Sequence, residues 1–139
     1  MKISERYRCP HNKLFITALT LLIAFLATEL MFRIFGLYRT FPLVDVISHF
    51  LSGMTMAVAI YWILSLTKVR RKAAATIMYT FFAAIIWEVL ETLEEMVIPN
   101  PPWLVDYWIW DGIFDITVTV FAGIVALDLL YILNKKKLI

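Results

Sequence analysis

Leu14–Ile34 reads LFITALTLLIAFLATELMFRI, an apolar run that carries no charge until Glu29 and Arg33 near its end. A run of roughly 20 such residues is the length of helix that crosses the hydrocarbon core of a bilayer. Three further runs follow: Val44 to Leu66, Ala73 to about Ile98 with acids in its last turns, and about Trp108 to Leu133. Only helices or closed barrels satisfy the backbone in lipid, and these runs are too long for barrel strands. The expected fold is therefore all-α, a single integral membrane domain over residues 1–139. Its short loops favour an antiparallel, up-down-up-down bundle of four transmembrane helices.

Composition agrees. The hydrophobic share is 62% and the mean hydropathy +0.80, against an apolar share of roughly 45–50% in soluble domains. The first run exceeds the roughly 7–15 apolar residues of a signal peptide, and no small-x-small cleavage pattern follows it, so it reads as a retained helix. Cys9 is the one cysteine, which excludes an internal disulfide.

Charge sets the orientation. Lys2, Arg6, Arg8 and Lys13 precede the first run; Lys68, Arg70, Arg71 and Lys72 fill the loop after the second; Lys135, Lys136 and Lys137 follow the fourth. These are eleven of the 13 basic residues. The positive-inside rule makes that side the cytoplasm and places both termini there, in a multi-pass protein of the cell membrane. Trp103, Tyr107, Trp108 and Trp110 read as an outer aromatic belt, and Pro99, Pro101 and Pro102 stop the third helix. The basic clusters are short and adjoin the spans, so topology and anionic lipid explain them and nucleic acid is not an expected partner.

The acids break the pattern. Nine of the 11, namely Glu29, Asp45, Glu88, Glu91, Glu94, Glu95, Asp106, Asp111 and Asp115, fall in the outer part of a span or beside its outer mouth, with only Arg33 and Arg39 nearby. At about 1.5 Å of rise per residue, Asp115 lies roughly 10 Å below the outer surface. A carboxylate facing lipid costs on the order of 2.5–3.5 kcal/mol even on the lenient insertion scale. Inward-facing acids repel one another, and the remedies are protonation, a water-filled vestibule or a bound cation. Glu94, Glu95 and Asp106 read as solvated at the mouth.

Spacing groups the remainder. Residues three or four apart share a helix face: Asp45 with His49, Glu88 with Glu91, Asp111 with Asp115. Glu29 joins them from the first helix, although Arg33, four residues on, equally makes it half of an ion pair. Small residues beside these pairs, Ser48, Ser52, Gly53, Ala83, Ala84, Ala122 and Gly123, would allow close helix approach. The expected ligand set is Asp45, His49, Glu88, Glu91, Asp111 and Asp115, with Glu29 in support. One imidazole among carboxylates suits a divalent metal ion, magnesium, calcium or manganese before zinc or iron.

Asp45-Val-Ile-Ser-His49-Phe50-Leu-Ser-Gly53, Glu88-Val-Leu-Glu91 and Ile109-Trp110-Asp111-Gly-Ile-Phe-Asp115 occur in that order. The ordered set resembles the YjdF-like family of small prokaryotic inner-membrane proteins. Where that family's pattern carries a further acid three residues before Asp111, this chain has Trp108. The resemblance implies a membrane location and a polar centre built from these residues, and implies no reaction.

Four functions meet these observations. The first is a cation-binding membrane protein whose site opens to the outer face. The second is a metal-dependent enzyme acting on lipid headgroups, with a carboxylate or His49 as base. The third is a proton- or cation-coupled transporter, which in so short a chain would need a homo-oligomer and has only Asp128 as a polar group in its inner half. The fourth is a structural accessory subunit whose acids pair with a partner's basic helix. The first asks least beyond the charge arithmetic.

Overall fold

The computed structural model describes residues 11–41, 43–97 and 108–136. It is all-helical: α1 spans His11–Ile34, α2 Leu43–Ser65, α3 Lys72–Val97 and α4 Trp108–Lys135. All four are long and apolar enough to cross a membrane. α1 and α4 contain their expected runs, whereas α2 ends at Ser65, one residue before Leu66, and α3 is described as far as Val97; the starts of α1 and α3 and the end of α4 reach a residue or more into polar sequence. A helix does not stop where the hydrocarbon stops, because its backbone bonds persist into the interface.

The ends have local causes. Gly36 closes α1 with a φ of 63°, a left-handed conformation that glycine adopts without steric penalty. A single 3-10 turn, Leu37–Arg39, then leads through Phe41, whose carbonyl accepts from the Val44 amide at 3.0 Å, into α2. At the far end of α2 the Lys72 ammonium donates to the Ser65 carbonyl at 3.0 Å, satisfying an acceptor that the helix leaves open and placing a cation at its negative pole. His11 Nδ1 and the Ser65 hydroxyl lie 2.8 Å apart and tie the start of α1 to the same place.

α2 is the hub. It packs against α1, α3 and α4, while α3 also packs against α4. The tightest crossing is between α2 and α4. A methyl group built on Gly53 would stand 2.2 Å from the Thr119 carbonyl oxygen, so no side chain fits there. Gly123 faces Ala57 and Thr80 in the same seam, and Ala84 and Ala122 are buried beside it. Small residues let helices in lipid gain dispersion contact, since burial from water contributes little there.

One end of the bundle is filled with apolar side chains: Leu14 and Ala18 of α1, Ala57, Val58 and Tyr61 of α2, and Ala126, Leu127 and Leu130 of α4 form a continuous buried cluster. Leu14 and Ala18 are the only buried residues of α1. Leu21 is partly buried against the same cluster, but most other apolar side chains of that helix are exposed, and across the bundle surface Ile16, Leu30, Ile86 and Phe121 are each at least 58% exposed. Apolar surface on this scale would drive association in water and is at home against acyl chains. Its counterpart at the other end is polar, and the candidate site residues lie there.

Candidate functional site

His49 sits two turns inside α2, one turn before Gly53, and is 6% exposed. The closeness forced at Gly53 brings α4 against it: the Thr119 hydroxyl reaches the His49 carbonyl at 3.4 Å, and Asp115, one turn earlier on α4, faces the imidazole. α3 approaches from the other side. Gly112 leaves room there for Glu88, whose Oε2 would stand 3.2 Å from a methyl group at that position.

Three carboxylates from three helices therefore surround one ring. Nε2 is 3.6 Å from Asp45 Oδ1 and 3.7 Å from Asp115 Oδ2, and Nδ1 is 3.7 Å from Glu88 Oε1. These gaps exceed the roughly 2.7–3.2 Å of an N–H···O hydrogen bond. They are close to the spacing of two ligands on one ion, since bonds of about 2.0–2.2 Å at tetrahedral angles leave ligand atoms roughly 3.3–3.6 Å apart. Two overlapping sets result. Asp45, His49 and Asp115 offer ligand atoms within 4.8 Å of one another, and so do His49, Glu88 and Glu91.

The burial is uneven. Asp115 and His49 side chains are each 7% exposed, Glu88 16% and Asp45 36%. Among the described residues two buried side-chain oxygens have no hydrogen-bond partner, Thr80 Oγ1 and Asp115 Oδ1. The first belongs to a neutral hydroxyl. The second belongs to a carboxylate, and leaving such an oxygen unsatisfied costs more than leaving a hydroxyl so.

The other two expected ligands stand apart from both sets. Asp111 is exposed in the first turn of α4, one turn beyond Asp115. Glu29 is taken up elsewhere: its carboxylate accepts from Arg33 Nε at 2.9 Å, from the Ser48 hydroxyl at 2.7 Å and from the Tyr38 hydroxyl. The Glu29–Arg33 pair is the one that their four-residue spacing suggests. Ser48, expected only as a small residue at a helix contact, is a donor that joins α1 to α2. Tyr38 was not singled out at all, and its place beside Glu29 depends on the turn at Gly36, which spacing along a helix cannot reveal. Burial first, and then the hydrogen bond to Glu29, pushes the Tyr38 phenol above its ordinary range, so it remains a donor.

Trp110 is 73% exposed, as a belt residue would be. Trp103, Asp106, Tyr107, the side chains of Glu94, Glu95 and Trp108, and the basic residues before His11 lie outside the description.

Four apolar spans around a carboxylate and histidine cluster define a small polytopic membrane protein. Residues 4–136 match the family described as predicted membrane protein (DUF2238), and the chain belongs to that family, as the ordered motifs suggest. No curated protein and no solved structure gives a match.

Proposed function

We propose that this protein holds a divalent cation between α2, α3 and α4, in the outer half of the cell membrane, with His49 as the central ligand. The observation that carries the reading is Asp115. Its Oδ1 is buried and has no donor among the described residues, while its Oδ2 stands opposite the imidazole at ligand-to-ligand distance, so a cation would supply what the group lacks. Asp45 and Asp115 would bind on the Nε2 side of His49, Glu88 and Glu91 on the Nδ1 side. Whichever nitrogen binds the ion, the carboxylate on the other side would fix the ring's tautomer and orientation. Asp111 would line the approach from outside, and Glu29 would brace α1 instead of binding the ion.

The same reading takes the bundle as antiparallel, with both termini cytoplasmic by the positive-inside rule. It then puts the apolar cluster on the cytoplasmic side of His49. That cluster favours a site reached from the outer face over a conduit through the membrane.

A ligand that binds the folded state alone raises the unfolding temperature by mass action. Thermal unfolding in detergent should therefore move upward when magnesium, calcium, manganese or zinc is added to chelator-treated wild-type protein. The His49→Ala variant should show no such shift with any of them. A cation-independent melting curve for the wild type, or an equal shift in His49→Ala, rejects the proposal.

A further inference from the structure

A cavity of about 340 Å³ lies beside His49, between α1 and α3. Ser48, His49 and Ser52 of α2 form its floor. α1 and α3 both pack on α2 and make no extensive contact with each other, so their outward edges stand open. Leu26 of α1 and Trp87 of α3 line the cavity and yet are 54% and 50% exposed. That combination marks the mouth, and among spans of this length the mouth faces hydrocarbon. The polar end carries three carboxylates, Glu29, Asp45 and Glu91, and one guanidinium, Arg33, already paired with Glu29 at 2.9 Å.

We propose that this cavity binds an amine-bearing amphiphile, its ammonium group held at the Asp45 and Glu91 end and its apolar chain leaving between Leu26 and Trp87 into the bilayer. The volume is at the lower end of small-molecule sites, roughly 300–1,000 Å³, enough for a headgroup and the first carbons of a chain. Charge selects the headgroup. A phosphate would enter a cavity with more carboxylates than cations. A divalent ion at His49 does not reverse this, because it would be surrounded by four carboxyl groups, Asp45, Glu88, Glu91 and Asp115, and so would be a poor anchor for a phosphate. An ammonium group is complementary with or without that ion, and the aromatic walls, Phe25 and Trp87, favour a cation over an anion. This inference goes beyond the cation reading and does not rest on it.

The test is calorimetric titration of chelator-treated protein in neutral maltoside micelles, with dodecylamine against dodecyl phosphate. An alkylamine, with a pKa like that of lysine at about 10.4, is cationic at neutral pH. Dodecylamine should bind wild type at about one equivalent, while dodecyl phosphate should show only the partitioning seen with protein-free micelles. Leu26→Trp, which fills the mouth, and Glu91→Gln, which removes a charge, should each weaken dodecylamine binding at least tenfold. Leu26→Trp should keep the wild-type response to metal, so failure here is separable from failure of the cation site. Equal uptake of the two amphiphiles overturns the proposal, as does unchanged dodecylamine affinity in Leu26→Trp. If Leu26→Trp does not fold, Glu91→Gln decides: unchanged affinity in it overturns the proposal alone.

Discussion

Glu29 and Asp115 are both carboxylates drawn into the polar end of the bundle, with side chains 18% and 7% exposed, and their surroundings could hardly differ more. Glu29 has a guanidinium and two hydroxyls, supplied by its own helix, the turn after it and the neighbouring helix. Asp115 has an imidazole at 3.7 Å from its Oδ2 and, among the described residues, no hydrogen-bond partner for its Oδ1. This fold is therefore able to satisfy a carboxylate completely when the role is to join helices. Thr80 Oγ1 is also buried without a partner among the described residues, but it is a neutral hydroxyl; a carboxylate left short in a fold that satisfies Glu29 calls for an explanation, and a bound cation is the proposed one.

Three changes would break or sharpen that contrast. The largest effect is expected from Gly53→Ala. The added methyl meets backbone at 2.2 Å, and backbone cannot swing aside, so α4 must move off α2 and carry Asp115 away from His49. A loss of about 2 kcal/mol in unfolding free energy is expected, together with weaker cation binding. Retained stability and retained binding would mean that the crossing does not position the site. Ser48→Ala comes next. It removes one of three donors from Glu29, and one hydrogen bond to a charged group contributes about 1.5–3 kcal/mol. With two donors remaining, a loss near the low end is expected in detergent unfolding, and the metal response should be unchanged. A lost metal response would join the two carboxylate neighbourhoods into one site. Asp111→Asn should do least, changing cation affinity less than about threefold, because an exposed charge acts through screened electrostatics alone. A large loss would bring Asp111 into the ligand set.

The helices were legible because hydropathy over roughly 20 residues is a one-dimensional signal that lipid itself imposes. Much of the candidate cluster's geometry was legible for a similar reason. Asp45 and His49 are one turn apart, and that spacing does put their polar atoms 3.6 Å apart on the same face. The reasoning weakened where position along the bundle mattered as much as the face. Asp111 shares the face of Asp115, but it lies in the first turn of α4, where it is exposed. It failed for Glu29, whose carboxylate is claimed by Ser48, nineteen residues on, and by Tyr38 across the turn. Such partners come from tertiary packing and leave no periodic trace. The cavity between α1 and α3 is equally invisible to spacing, because it arises from two helices that share a neighbour without packing extensively on each other.

Asp115, whose Oδ1 has no donor among the described residues, is proposed to mark a cation site. Metal content by mass spectrometry, on wild type and Asp115→Asn purified side by side in detergent and equilibrated with one divalent ion, tests it most directly. About one or more equivalents in the wild type and none in Asp115→Asn, with both proteins folded, is the predicted result. The same metal content in both proteins, or none in either, would contradict it.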